Sequence, residues 1–243
     1  MKRITVFTFL FFSISFFFGQ MNPEKWKEDI NFLRENLSKK HYNLFFKREK
    51  PQFDKDLDNL ISKTKTISDL EIALKLQQII AKQGDTHTNI SWGKYLSNDK
   101  ILPLRFFYFE DGIYVTLTNQ KNKELLGKKI IKINGFDIKK VTDSISSLFV
   151  NENKAIYKSK SLTGLHSTQL LRFFGFAKND SIKITFQNSN LLTEKTLLPE
   201  EIKDDDKIKI NPQNITFIRE NKKKIFEKKY FEKEKILYVL YNS

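Results

Sequence analysis

The chain from residue 22 to residue 83 carries apolar residues at the spacing of amphipathic helices. The first helix is predicted to begin at Pro23, because Asn22 is a favourable N-cap and proline is favoured at the first helical position. One apolar stripe follows along this helix: Trp26, Ile30, Leu33 and Leu37. The stripe recurs every three or four residues, which is the period of a helix with one buried face.

Two more helices are predicted before residue 84. One covers about 52–63, and the next starts at Ser68, which has Glu71 three residues later at the spacing of a capping box. Glycine commonly ends a helix, so this helix is expected to stop at Gly84. Its apolar face consists of Leu70, Ala73, Leu74, Gln77, Ile80 and Ala81.

After Gly84 the pattern changes to short apolar or alternating runs, which are typical of strands. Strands are predicted at 88–92, 102–109, 112–118, 129–133, 181–187 and 236–241. Glu110-Asp111-Gly112 and Asn134-Gly135 indicate turns between neighbouring strands. A short strand or turn and then a helix are predicted within 136–149, and another helix at 162–174. Residues 188–222 are polar and show no regular pattern.

The N-terminus has the features of a secretory signal. Lys2 and Arg3 precede an apolar stretch of about 15 residues, which is shorter than the roughly 20 residues that a membrane span needs. We expect cleavage after Gln20 and export to the periplasm or the extracellular space, with no stable membrane span after signal removal. An uncleaved N-terminal anchor is the alternative.

Composition narrows the possible chemistry. An apolar content of 40% supports a folded core, and the absence of cysteine excludes disulfides and thiolate metal sites. Three scattered histidines make a poor metal-ligand set, and the chain contains neither a phosphate-binding loop nor a GxSxG motif. We therefore expect no metal and no cofactor.

The net charge of +14 does not by itself indicate a nucleic-acid partner. Lysines are spread along the chain and interleaved with acidic residues. The densest basic run, at 222–235, is predicted to be a solvated hairpin or linker face. No nucleic-acid binding is expected, and the oligomeric state is left open.

The sequence Gly84-Asp85-Thr86-His87-Thr88 lies where a helix is predicted to end and a strand to begin. Histidine can accept and return a proton near neutral pH, and the polar neighbours could fix its tautomer. The same sequence also suits an ordinary turn, and the pattern alone favours the turn. His41 is predicted to have a capping or packing role, and a Ser–His pairing of His166 is a minor alternative.

A second candidate unit covers residues 127–145. A strand, the Asn134-Gly135 turn and a helix carrying Val141 and Ile145 follow in that order. Such a unit binds peptides when an open sheet edge lies beside the helix, because an extended ligand can add as another strand. An ordinary strand–helix connection has the same pattern, so the sequence leaves both readings open.

In this order and spacing, the segments resemble the tail-specific, or C-terminal-processing, serine protease family in its exported bacterial form. The resemblance is carried by the helical start with Trp26 and His41, by 79–90, by 102–115, by 125–138 and by 236–242. Segment 125–138 is similar to the second half of a PDZ-like domain. Segment 236–242 is similar to the first strand of the protease domain.

The resemblance implies hydrolysis of peptide or unfolded-protein substrates without metal or cofactor. In tricorn-type members of the family a Ser–His pair at a helix end supplies the general base, and Thr86-His87 matches it here. In the Ser–Lys form of the family, His87 would instead be structural. Leu104 and Phe106 are the predicted substrate-binding residues.

The resemblance also implies that the nucleophilic serine and its oxyanion donors would lie beyond Ser243. We therefore expect this chain alone not to cleave peptides. A noncatalytic PDZ-like peptide-binding module of the cell envelope is the alternative, and a structural or adaptor protein is a third possibility.

The predicted fold class is α+β. The predicted domains are a signal peptide at 1–20, an N-terminal helical domain at 21–92 and a PDZ-like domain of small sheet and helix at 93–190. Residues 191–243 are predicted to be a linker and the first strand of a truncated protease domain.

Overall fold

Three helices form the N-terminal part of the computed structural model, which describes residues 21–97, 100–210 and 224–241. They are α1 (Pro23–Lys40), α2 (Lys50–Ile61) and α3 (Asp69–Ala81). The predicted caps are confirmed: the side chain of Asn22 accepts from the Glu24 N–H, and Ser68 and Glu71 form a capping box. The predicted signal peptide lies outside the described residues.

The apolar stripes of these helices face one another. Their shared core contains Ile30 of α1, Phe53 and Leu57 of α2, and Ile72 and Ile80 of α3, all of them fully buried. Burying such side chains contributes roughly 1.5–3 kcal/mol each relative to leaving them exposed, so tertiary packing holds these short helices in place.

An antiparallel sheet with helices on its buried face follows. Its strands are β1 (Leu104–Tyr108), β2 (Ile113–Asn119), β3 (Lys129–Ile133), β4 (Phe136–Asp137), β5 (Ile182–Asn188), β6 (Leu191–Leu197) and β7 (Lys207–Lys209). The main order is β1-β2-β3-β5-β6, with β4 on β3 and β7 on β2, and all pairs are antiparallel. The α+β class is thus confirmed.

Three helices accompany the sheet: α4 (Ile138–Ser146), α5 (Lys154–Lys160) and α6 (Thr168–Phe173). The core between helices and sheet contains Ile130, Ile133 and Val141, and at its centre Ile184 and Phe186, all fully buried. A smaller cluster of Leu74, Leu148 and Leu170 joins α3 to this part of the chain.

The prediction of a strand at 88–92 is wrong. Residues 88–91 form no regular element, and a 3₁₀ helix covers Trp92–Tyr95. Instead of pairing with a neighbouring strand, the Ile90 N–H donates to the side chain of Gln77 (2.7 Å). The predicted helix at 162–174 is also shorter than expected, since α6 starts only after Ser167, whose side chain caps it.

The sheet continues past residue 190, where the sequence placed the start of a linker. β6 pairs with β5 over seven residue pairs, and β7 pairs with the second half of β2. β6 was missed because it is an edge strand: most of its side chains are exposed and it carries no apolar alternation.

The basic run near the C-terminus is a hairpin, as predicted. β8 (Phe226–Phe231) pairs with β9 (Ile236–Tyr241) along the full length of both strands. β9 therefore has a strand partner within the described residues, which the sequence did not reveal. Its assignment as the first strand of a protease domain stays a prediction.

None of the helices within 21–97, 100–210 and 224–241 combines the length and apolar character that crossing a bilayer requires.

Candidate functional site

The loop that follows α3 is organised around the carboxylate of Asp85. Its Oδ1 accepts from the His87 N–H (3.0 Å), and its Oδ2 accepts from the Thr88 hydroxyl and lies 3.0 Å from Nε2 of His41. These donors, led by the Thr88 hydroxyl, lower the pKa of Asp85 to about 2. The carboxylate is therefore ionised at neutral pH and holds the turn closed.

Gly84 turns the chain three residues after the end of α3. Its φ is +91°, and a Cβ there would lie 2.7 Å from Cδ of Lys47. Only glycine adopts this conformation at little cost, and only glycine leaves space for the 46–47 segment. The helix was expected to stop at Gly84, and it stops three residues earlier, at Ala81.

The ring of His87 is exposed at the tip of this loop. Within the described part of the chain, no side chain hydrogen-bonds to this ring, and the Thr86 hydroxyl is not paired with it. Its catalytic role, and that of Thr86, therefore stays a prediction. What the loop does bring together is Asp85 and His41.

His41 ends α1 and ties it to the loop after α3. Its N–H caps the helix at the Leu37 carbonyl, its Nδ1 accepts from the Asn43 N–H (3.1 Å), and its Nε2 faces Asp85. Both ring nitrogens are thus engaged, with Nε2 carrying the proton that is donated to Asp85. The predicted capping role is confirmed, and the partner Asp85 lies 44 residues away in the sequence.

The outer edge of β1 offers free backbone groups. The N–H and C=O of Val115 in β2 bond to Lys128 (3.0 Å) and Gly127 (2.9 Å), away from β1. Val115 lies opposite Phe106, and since both backbone groups of Val115 are used on its other side, this pair forms no hydrogen bonds between β1 and β2. In an antiparallel pair of this kind the Phe106 N–H and C=O point outward. The same alternation turns the N–H and C=O of Tyr108 outward.

A groove of about 450 Å³ lies between this edge, α5 and the segment 162–166. Its lining includes Phe106, Phe107, Tyr108, Ala155, Lys158 and His166. The Lys158 Nζ lies 5.1 Å from the centre of the Tyr108 ring, so the wall combines apolar surface with positive charge.

Tyr157 fixes α5 at its distance from β1. Its hydroxyl donates to Oδ1 of Asp143 (2.6 Å) in α4, and its ring packs edge-on against Tyr108 with centroids 6.4 Å apart. Burial, with the Asp143 hydrogen bond second, raises the pKa of Tyr157. One side chain thus connects α4, α5 and β1.

Two features close the groove at the start of β1. The Leu102 N–H donates to the His166 carbonyl (2.8 Å), and Ile101 forms a bridge with Ser167. The segment is held close to the core because Gly164 has no side chain: a Cβ there would lie 2.5 Å from Cδ1 of Leu170.

His166 and Arg105 lie together at this closed end. Burial lowers the pKa of His166 to about 4, and the positive charge of Arg105 adds to the effect. Burial also lowers the pKa of Arg105, although much of its side chain is exposed. His166 is therefore neutral at pH 7. The minor alternative of a Ser–His pair is not formed, since the Ser167 hydroxyl instead caps α6 at the Leu170 N–H.

Of the two predicted substrate-binding residues, Phe106 lines this groove. Leu104 is not among the lining residues, and its side chain is fully buried in the core. Their role in binding stays a prediction.

The proposed docking unit at 127–145 has the predicted elements but no open edge. β3 is paired on both sides, with β2 and with β5. The helix next to an open strand is α5, not α4. No sequence signal marked α5, whose seven residues carry three lysines and no regular apolar stripe.

Within the described ranges, no three His, Asp or Glu side chains come together as a metal site requires.

No family model matches the chain, and no curated protein matches it. One solved structure similar to this chain is the crystal structure of a mutant of CPAF. The identity is 15% and the TM-score 0.45, over 72% of this chain and 34% of that chain. This chain thus corresponds to about a third of that chain, and a similarity at this level assigns neither fold nor activity.

Proposed function

We propose that the groove between β1 and α5 docks an extended peptide as an additional strand, and that the protein is the peptide-docking part of an exported serine-type peptidase of the tail-specific family. The outward N–H and C=O groups of Phe106 and Tyr108 carry the proposal. Among the described residues, none hydrogen-bonds to these four groups. An added strand would satisfy them, while the aromatic wall would hold its side chains.

The peptidase part of the proposal rests on the sequence resemblance. Within the described residues no serine hydroxyl hydrogen-bonds to a histidine ring, so those residues present no nucleophile–base pair. We therefore expect docking without hydrolysis by these residues. A peptide-binding protein that does not cut is the second candidate, and the open groove supports it equally.

The docking test uses backbone chemistry. Short peptides that bind the purified protein are resynthesised with N-methyl groups on every second residue, in the two alternate registers. Strand addition predicts that one register abolishes binding while the other retains it, because only alternate N–H groups face the partner strand. Equal binding of both registers refutes strand addition.

A matched pair of variants locates the site. Ala155 lines the groove from α5, whereas its neighbour Lys154 does not. Ala155→Trp is expected to block the groove and to weaken binding at least tenfold, and Lys154→Trp is expected to leave it unchanged. If both variants bind like the wild type, the peptide site lies elsewhere.

The peptidase assignment has its own assay. The purified protein is incubated with unfolded casein, with and without a serine-directed inhibitor. Binding without hydrolysis is the expected result. Hydrolysis that the inhibitor abolishes contradicts the expectation that this chain does not cleave, and it would place a complete serine site within the chain.

A further inference from the structure

The lining of the groove is positively charged and contains no acidic side chain. Arg105 lies at its closed end and Lys158 on its α5 wall. Among the described residues no carboxylate pairs with Arg105, whose Nη1 donates only to the backbone carbonyls of Leu104 (2.8 Å) and Leu102 (3.4 Å). A partly buried guanidinium with no anion nearby retains unused donors and uncompensated charge.

The backbone before β1 cannot supply an anion site. The Leu102 N–H is used by the His166 carbonyl, Pro103 has no N–H, and the Leu104 N–H donates to the Leu102 carbonyl (2.7 Å). A nest for a carboxylate needs successive free N–H groups, and none remains here. An anion at the closed end must therefore be held by side chains.

His166 is the second side chain at this point. The charged groups around it are Arg105 on β1 and Lys158 on α5. On the α6 side, the Thr168 hydroxyl binds Asp180, whose charge is already taken by Lys100 and Arg172. Among the described residues, therefore, no free acid offsets the positive field at His166. This agrees with the lowered pKa of its imidazole.

We propose that Arg105 and His166 form an anion subsite that selects extended peptides carrying a carboxylate, and that His166 takes up a proton when this carboxylate binds. The inference rests on the proposed docking function. The carboxylate belongs either to an acidic side chain or to the peptide C-terminus, and both satisfy the same Arg105 donors.

The sign of the pH dependence follows from linkage. The imidazole is neutral at pH 7 in the empty groove, and a bound carboxylate favours its charged form. Its pKa is then higher in the complex than in the free protein, so affinity increases as pH falls. If binding restores the ordinary histidine pKa of about 6.5, affinity increases about 20-fold between about pH 7 and pH 5.

The probes are pools of short peptides made from neutral residues, with either Glu or Gln at one fixed central position and either a free or an amidated C-terminus. Binding is measured by fluorescence anisotropy near pH 7 and near pH 5. The pools that carry a carboxylate are expected to bind at least tenfold more tightly than the Gln, amidated pool, and only they should gain affinity at the lower pH. Comparing the Glu, amidated pool with the Gln, free-acid pool identifies which carboxylate is recognised.

Variants separate the two side chains. Arg105→Gln is expected to reduce the acidic pools to the affinity of the neutral pool. His166→Asn is expected to keep a preference for carboxylates near pH 7 and to lose the gain at lower pH. Lys160→Gln removes a charge from α5, the helix of Lys158, at a position outside the groove lining. It should change neither the preference for carboxylates nor the gain in affinity at lower pH.

An NMR titration tests the proton directly and does not depend on a variant folding. The imidazole pKa of His166 is expected to be higher with a saturating acidic pool than without it. Equal affinity of neutral and acidic pools refutes the subsite while leaving peptide docking intact. Failure of every pool to bind refutes docking itself, and the subsite with it.

Discussion

Gln77 is the side chain whose replacement should reveal most about how the two halves of the fold are joined. It lies on α3, is 1% exposed, and makes hydrogen bonds in two directions. Its Nε2 donates to the Leu148 carbonyl (2.7 Å) and to Oδ1 of Asn89 (3.3 Å), and its Oε1 accepts from the Ile90 N–H (2.7 Å). One amide thus satisfies backbone groups of the loop after α3 and of the chain after α4.

Gln77→Leu keeps the volume approximately and removes all three bonds. The Leu148 carbonyl and the Ile90 N–H then remain buried without partners, at about 1–3 kcal/mol each. The added apolar surface of leucine offsets about 1 kcal/mol of this loss. The expected net decrease in the free energy of unfolding is about 1–5 kcal/mol.

Urea unfolding at neutral pH measures this difference, and the exchange rate of the Ile90 amide proton reports the local loss. Gln78→Leu is the matched control: the same change on the next residue removes one exposed hydrogen bond, to the Ser147 hydroxyl (2.7 Å), and should cost less than about 1 kcal/mol. If the two variants unfold within about 0.5 kcal/mol of each other, with Ile90 equally protected, then the buried amide does not join the two parts as argued.

Three further changes test separate features. Asp85→Asn should lower the melting temperature at neutral pH, and the difference from wild type should shrink as pH falls from about 4 towards 2, since the lowered pKa of Asp85 stabilises the fold only while the carboxylate is charged. Gly84→Ala, at φ +91° and facing Lys47, should lower the free energy of unfolding by about 1–2 kcal/mol, whereas Gly93→Ala, with open space around it, should cost under about 0.5 kcal/mol. Phe186→Ala should cost about 3–5 kcal/mol in urea unfolding, and Leu192→Ala, at an exposed position of the neighbouring strand, should stay within about 0.5 kcal/mol.

The three N-terminal helices were predictable because their signals are local. Asn22 and Ser68 act on backbone groups within three residues of themselves, so the caps are readable from the sequence and appear as expected. Five of the six residues predicted for the apolar face of α3 are buried, Gln77 among them. Ile72, Leu76 and Ile79 are buried as well, so α3 is covered over more than the predicted face. What the pattern could not show is that Gln77 is buried for its amide, because its partner Leu148 lies 71 residues away.

The loop around His87 shows the same limit at the candidate site. The sequence correctly placed a turn after Gly84, since glycine and aspartate have local roles there. The family resemblance pointed to His87 for catalysis. The imidazole that the structure holds by hydrogen bonds is that of His41, which reaches Asp85 across 44 residues. The His87 ring has no hydrogen-bond partner among the described residues, so its catalytic role stays a prediction.

The groove depends on strand order, which no local pattern encodes. β2 pairs with β1 on one side and with β3 and β7 on the other, so β1 is an edge strand of the sheet. An exposed strand edge invites pairing with another chain unless something covers it, and α5 stands beside β1 without hydrogen-bonding to it. Tyr157 holds that separation through its bond to Asp143 in α4. A helix fixed next to an unpaired edge keeps the space of one strand open, which is why binding is better sought at β1 than at the loop of His87.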